Sequence, residues 1–161
     1  MSRIVAWTGH RPDLFRDPAG ARAAVESEAR KLAESGAELF LVGGQRGVDT
    51  WAALAGIASA IPFHVILPLP IGEFTHDWSA VDRALLERTI AQAADVRTVG
   101  GYSERNRQLA TGGDLLVAVW TRTAGGGTAE TIDFAREAGT PCREIVLEPA
   151  PNVGSLRGRG I

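Results

Sequence analysis

Sulfur is nearly absent from this chain of 161 residues, which holds one cysteine, Cys142, and one methionine. A lone cysteine excludes an internal disulfide and any cysteine-rich metal centre. Neither sign of charge dominates: 17 Lys and Arg against 19 Asp and Glu leave a formal net charge of −2, with a pI near 5.9. No long-range field therefore draws the chain to nucleic acid or to an anionic membrane. No apolar run approaches the ~20 residues of a membrane span, and the opening residues lead into a strand pattern without a secretion signal's apolar stretch. What remains is a 45% hydrophobic chain, enough for one domain with an ordinary core. A cytoplasmic location is expected.

Strand-like and helix-like stretches alternate along the chain, which predicts a single Rossmann-like α/β domain with a doubly wound, mainly parallel sheet flanked by helices. Residues 3–7 read as the first strand, 39–42 as the second, 62–67 as the third, 115–119 and 143–147 as the last two, with a short strand at 96–99. Asp17 followed by Pro18 marks a helix start, and Gly36 marks its end. A second helix is expected from about 48 to 59, a third behind a Ser79/Asp82 capping box, a brief one capped by Ser103, and a last long one from 128 to 138. Neither a repeat nor an interdomain linker is present. The expected domain is 1–148, with 149–161 as a flexible tail carrying Gly154, Arg157, Gly158, Arg159 and Gly160.

Ligands of an open parallel sheet bind beyond the carboxyl ends of its strands, and the unusual residues fall there. A run of three glycines, 125–127, and Thr128 separate an apolar strand from a helix, and Gly43, Gly44, Gln45, Arg46, Gly47, Val48 and Asp49 do the same after the second strand. Such turns aim backbone N–H groups and the positive end of a helix dipole at an anion, most often phosphate. After the first strand come Thr8, Gly9, His10 and Arg11. There a glycine permits close backbone approach, a threonine offers a hydroxyl, and an arginine offers a planar fork for phosphate or carboxylate. Asp49 either caps a helix or accepts from ribose hydroxyls. Trp7 and Trp51 read as core, while Trp78 and Trp120 stand near strand-end loops where they can stack on a base. His76 and Asp77 belong to a polar lip or the surface, and Cys142 reads as buried. No paired histidine spacing supports a metal site, so neither metal nor cofactor is expected.

The ordered set Thr8-Gly9-His10-Arg11-Pro12, Gly43-Gly44, Gly47-Val48-Asp49 with Trp51-Ala52-Ala53, then Arg105, Asp114 and Gly126-Gly127-Thr128, resembles the YpsA-like branch of the SLOG superfamily. That superfamily joins the Lonely Guy phosphoribohydrolases to DNA-processing protein A. The resemblance spans about residues 3–147. It implies a Rossmann-like fold, a nucleotide or nucleotide-derived ligand, and a homodimer or larger assembly. Carried over by position, Arg11, Arg46 and Arg105 would contact phosphate, Gly43, Gly44, Gly126, Gly127 and Thr128 would present donors, and Asp49 or Asn106 would meet the sugar.

Lonely Guy enzymes cleave the N-glycosidic bond of a nucleoside monophosphate with an arginine and a glutamate. Arg105 matches the first. Glu130 stands one residue before the expected glutamate position, which holds Thr131, and the leading proline of the turn is replaced around Ala124 and Gly125. One residue of offset on a helix turns a side chain by about 100°. The expectation is therefore a binding or sensing module, with a phosphoribohydrolase using Arg105 and Glu130 as the alternative. Single-stranded nucleic acid is the second alternative, disfavoured because such binding draws on a basic groove with stacking aromatics.

Overall fold

The computed structural model describes residues 2–123 and 126–151. Thirteen residues fall outside this range, including the expected Ala124–Gly125 part of the last glycine turn and the tail from 152 onward. Six strands alternate with helices: β1 (Ile4–Gly9), α1 (Pro18–Glu34), β2 (Leu39–Val42), α2 (Val48–Ala58), β3 (Phe63–Leu67), a single-turn α3 (Ile71–Phe74), α4 (Ala80–Ala91), β4 (Asp95–Thr98), α5 (Tyr102–Gly112), β5 (Leu115–Trp120), α6 (Gly127–Ala138) and β6 (Cys142–Val146). The sheet order is β4-β3-β2-β1-β5-β6, and every pairing is parallel. Strand order reverses between β1 and β5, where successive crossovers leave in opposite directions and open a crevice above the strand ends.

The alternation of side chains along each strand divides the core in two. Val5, Trp7, Phe40, Val42, Phe63, Val65, Val117 and Val119 face α1, α2 and α4. Ala6, Leu41, Ile66, Leu116 and Ala118 face α5 and α6. Because both faces are covered, the inner strands read as unbroken apolar runs rather than alternating ones. Trp7 is fully buried and meets Phe40 edge-on at 5.3 Å between ring centroids. On the second face the small side chains of Ala6, Ala110, Ala118 and Ala135, all fully buried, let α5 and α6 lie close to the sheet.

Local signals set the starts of α1 and α4. The Asp17 carboxylate accepts from the Gly20 N–H at 2.9 Å, with Pro18 in the first helical turn, and the Ser79 hydroxyl accepts from the Asp82 N–H at 3.1 Å. Three expectations are corrected. Gly101, not Ser103, precedes the first turn of α5. Cys142 is exposed, because β6 is an edge strand. Pro149 does not open a loose tail: it bridges Phe15 in antiparallel fashion, flanked by Arg16 N–H to Glu148 C=O and Ala150 N–H to Leu14 C=O, each 3.0 Å.

Asp114, one of the residues that carry the resemblance, lies before β5 at the end of the sheet remote from the crevice. Its carboxylate accepts from the Ile4 N–H at 2.9 Å and the Arg3 N–H at 3.0 Å, and these donors hold it below the usual carboxylate range. Its role is to fix where β1 begins.

Candidate functional site

A cavity of about 290 Å³ opens above the carboxyl ends of β1, β2 and β5, at the reversal of strand order. Thr8, Gly9, His10 and Arg11 enter it from the end of β1, Gln45 and Asp49 from the turn after β2, Tyr102, Arg105 and Asn106 from α5, and Gly127 and Thr128 from the start of α6. Four segments distant in sequence thus converge as the resemblance implied. Gln45 and Tyr102 were not anticipated; Gln45 was readable only as a member of a strand-end turn.

Close backbone contact holds the loops together. His10 donates through its backbone N–H to Val119 C=O and accepts at its own C=O from Val48 N–H, both at 3.3 Å. A Cβ at Gly9 would run into the Val119 carbonyl and the Val48 side chain. At Gly47 φ is +86°, and a Cβ would strike the His10 carbonyl. Gly44 packs under Leu67 away from the cavity, and Gly126 borders a neighbouring recess. Gly44, Gly47 and Gly126 shape the loops without lining the cavity, whereas Gly9 both shapes its turn and lines it.

Two buried charges face one another across Gly43: a Cβ there would come within 2.5 Å of Arg105 Nη1 and 2.9 Å of Asp49 Oδ2. Arg105 donates through Nη1 to the Gly43 carbonyl and through Nε to Asn106 Oδ1 at 2.9 Å. Burial lowers its pKa, opposed by Asp49. Asp49, 5% exposed, accepts from the Gln45 N–H at 3.1 Å through Oδ2. It sits at the second residue of α2, whose preceding residue is Gly47, so it does not cap the helix. Burial raises its pKa to about 6, with the Arg105 charge opposing. His10, 6% exposed, lies against Phe15 and Trp120, with ring centroids 5.8 and 6.2 Å away. Burial, then the neighbouring Arg11 charge, lowers its pKa to about 4. Asp49 Oδ1 and His10 Nε2 are both buried without a hydrogen-bond partner.

Other expected site residues fall beside the cavity. Arg46 lies in a separate groove that Arg11, Asp13 and Asp82 also line. Its guanidinium stands 4.7 Å over the Trp78 ring and 3.9 Å from the Asp82 carboxylate. Trp78 is itself buried against Phe74, because the loop after β3 folds into α3 and tucks inward. Trp120 commits its Nε1–H to Glu144 at 2.8 Å. Neither tryptophan lines the cavity; the aromatic ring there is Tyr102, 5.8 Å from the Arg105 guanidinium. His76 and Asp77 are exposed. No group of three or more His, Cys, Asp or Glu suited to a metal ion occurs among the described residues.

Glu130 borders an adjoining recess with Asn106, Tyr102 and Gly127. It accepts from Asn106 Nδ2 at 2.9 Å and from Ser103 Oγ at 2.7 Å, bonds that hold it below the usual carboxylate range. Thr131, at the position where the resemblance expects glutamate, is fully buried and donates its hydroxyl to Gly127 C=O at 2.7 Å. Asn106 thus stands between Arg105 and Glu130 and is bonded to both.

No family model matches this chain, and no curated protein sequence matches it significantly. Solved structures do. The molybdenum cofactor carrier protein of Chlamydomonas reinhardtii aligns with a TM-score of 0.65 at 20% identity, over 97% of this chain and 82% of that one. The molybdenum cofactor binding protein of Rippkaea orientalis gives 0.64 at 18% identity, over 99% and 84%. DNA processing protein A of Streptococcus pneumoniae gives 0.68 at 15% identity over 98% of this chain, which spans 56% of that protein. DNA-processing protein A is one of the two relatives through which the sequence resemblance runs. The likeness bears that resemblance out as a shared Rossmann-like fold.

Proposed function

We propose that this protein binds a nucleotide or nucleotide-derived small molecule in the cavity above β1, β2 and β5, as a ligand-binding or sensing module. The observation that carries this reading is the cavity at the reversal of strand order, where the turns after β1 and β2 and the starts of α5 and α6 converge on the buried guanidinium of Arg105. A buried cation suits a ligand that bears an anion. Arg11 and the first turn of α6, at Gly127 and Thr128, form the anion end. The first N–H groups of a helix have no intrahelical acceptor and carry partial positive charge. Arg105, with two nitrogens already committed, supplies the buried positive charge. Arg46 lies in the adjoining groove, which shares Arg11 with the cavity. The molybdenum cofactor proteins that share the fold carry or bind a small molecule by name, which supports the class of ligand. A cavity of about 290 Å³ suits such a ligand better than a polymer.

A second reading has its own observation. Asn106 couples Arg105 to Glu130, the two residues that the resemblance pairs in N-glycosidic cleavage. Glu130 is held ionised, so it would stabilise positive charge on the sugar or orient water. Both readings are separated by a thermal-shift screen of nucleoside mono-, di- and triphosphates, NAD and ADP-ribose, with mass spectrometry of each mixture for free base. A ligand present at 100 times its Kd adds about 2.7 kcal/mol to stability. Stabilisation without free base is the expected result. Free base that disappears in Glu130→Gln would instead establish turnover, and stabilisation by none of the compounds would overturn the nucleotide reading.

A further inference from the structure

β4 is the terminal strand of the sheet, and Asp95, Val96, Arg97 and Thr98 along it are all exposed. Strands of a parallel sheet are ordinarily covered on both faces, so this edge stands out. Its main neighbour is β3, and the ladder between them fixes which backbone groups face outward. Val99 N–H donates to Leu67 C=O at 2.9 Å, and Thr98 lies opposite Leu67. Alternate residues of a strand bond to the same neighbour, so Asp95, Arg97 and Val99 turn their backbone groups toward β3. Val96 and Thr98 turn theirs away from the sheet, along an edge that another strand can extend.

On the opposite edge, the charges of β6 are committed within the chain: Arg143 donates to Glu28, and Glu144 accepts from Trp120 and Arg122. On β4 the charges are Asp95 and Arg97, half-exposed and 3.7 Å apart on one face of the strand. A two-fold axis through Val96 would place Asp95 of each copy directly opposite Arg97 of the other, where unlike charges attract. The same axis sets Val96 against its own counterpart as a hydrogen-bonded pair, since both turn their backbone groups to the edge. A slip of one residue loses the backbone bonds. A slip of two restores them but sets Arg97 against Arg97 or Asp95 against Asp95, which is destabilising. Backbone and charge therefore select one register.

We infer that β4 is the surface on which a second copy of this chain docks, antiparallel about Val96, joining the two six-stranded sheets into one. Such an interface is isologous, the same patch serving both copies. It is independent of the ligand in the cavity, and it names a surface for the assembly that the resemblance only implied.

Size-exclusion chromatography with light scattering, on the full chain over a range of concentrations, tests this. Wild type is expected to be a dimer. Val96→Pro removes an outward N–H while sparing the β3 ladder, a place where an edge strand accepts proline, and is expected to be a monomer. Asp95→Arg sets like charges opposite one another and should weaken the dimer about tenfold or more. Adding Arg97→Asp restores the unlike pairs and should restore the dimer, which a general structural defect could not do. Circular dichroism checks that each variant is folded. A monomeric wild type overturns the proposal, as does a dimer that none of these substitutions weakens. A double variant no tighter than Asp95→Arg alone overturns the register.

Discussion

Replacement of Arg105 by methionine is expected to abolish ligand binding at the concentrations that saturate wild type, a loss of about 100-fold or more, and to destabilise the fold. Arg105 is 6% exposed, and its guanidinium satisfies the Gly43 carbonyl and Asn106 Oδ1. Removing it orphans both and leaves Asp49 buried without the charge that counters its burial. Removing one member of a buried charge pair costs roughly 3–5 kcal/mol. The carboxylate limits that cost by taking up a proton, so the lower end applies. Arg105→Lys keeps the charge but not the planar fork, and should recover stability in part while Asn106 loses its donor. Urea unfolding and calorimetric titration of both variants check this. Wild-type stability and affinity in Arg105→Met would show that the buried guanidinium has no role.

The second large effect is hidden in the wild type by compensation. Asp49 titrates at about 6 in the folded protein against 3.8 in its ordinary state, so between those values the folded chain holds more protons than the unfolded one. Its contribution to stability is present at low pH and is lost as pH rises through 6. His10 titrates at about 4 against 6.5, so over nearly the same window the unfolded chain holds more protons. Its contribution is present above 6.5 and is lost as pH falls to 4. Each shift spans about two units, roughly 3 kcal/mol, and the two slopes oppose. Single substitutions separate them. From pH 4 to 6.5, Asp49→Asn should gain roughly 3 kcal/mol relative to wild type, and His10→Gln should lose a similar amount. Unfolding free energies at half-unit pH steps supply both difference curves. Two flat curves would contradict the burial that drives both shifts.

The architecture was legible because it rests on local and periodic signals. Asp17 before Pro18, Ser79 before Asp82, and apolar runs closed by glycine each act within one turn or strand, and the structure realises them. The strand-end turns were legible for the same reason. What misled is tertiary. Arg46 belongs to a promising turn, yet Trp78 folds inward and draws its guanidinium out of the cavity. Ser103 has the composition of a cap, but its hydroxyl serves Glu130, 27 residues on. Cys142 occupies an apolar-looking strand that proves to be an edge. Pro149 binds to Phe15 across the length of the chain. Tyr102 carries no local signal, and only the packing of α5 against the turn after β2 brings it to the cavity.

The central claim is that the ligand sits above the ends of β1, β2 and β5. Amide chemical shifts of the isotope-labelled protein, recorded during titration with a nucleotide that stabilises it, test this most directly. The account predicts that the changes centre on Gly9, Arg11, Gln45, Asn106 and Thr128, which line one cavity. Changes confined to another surface, such as the groove between α1 and α2 that Arg22, Glu26, Trp51 and Leu54 line, would contradict it.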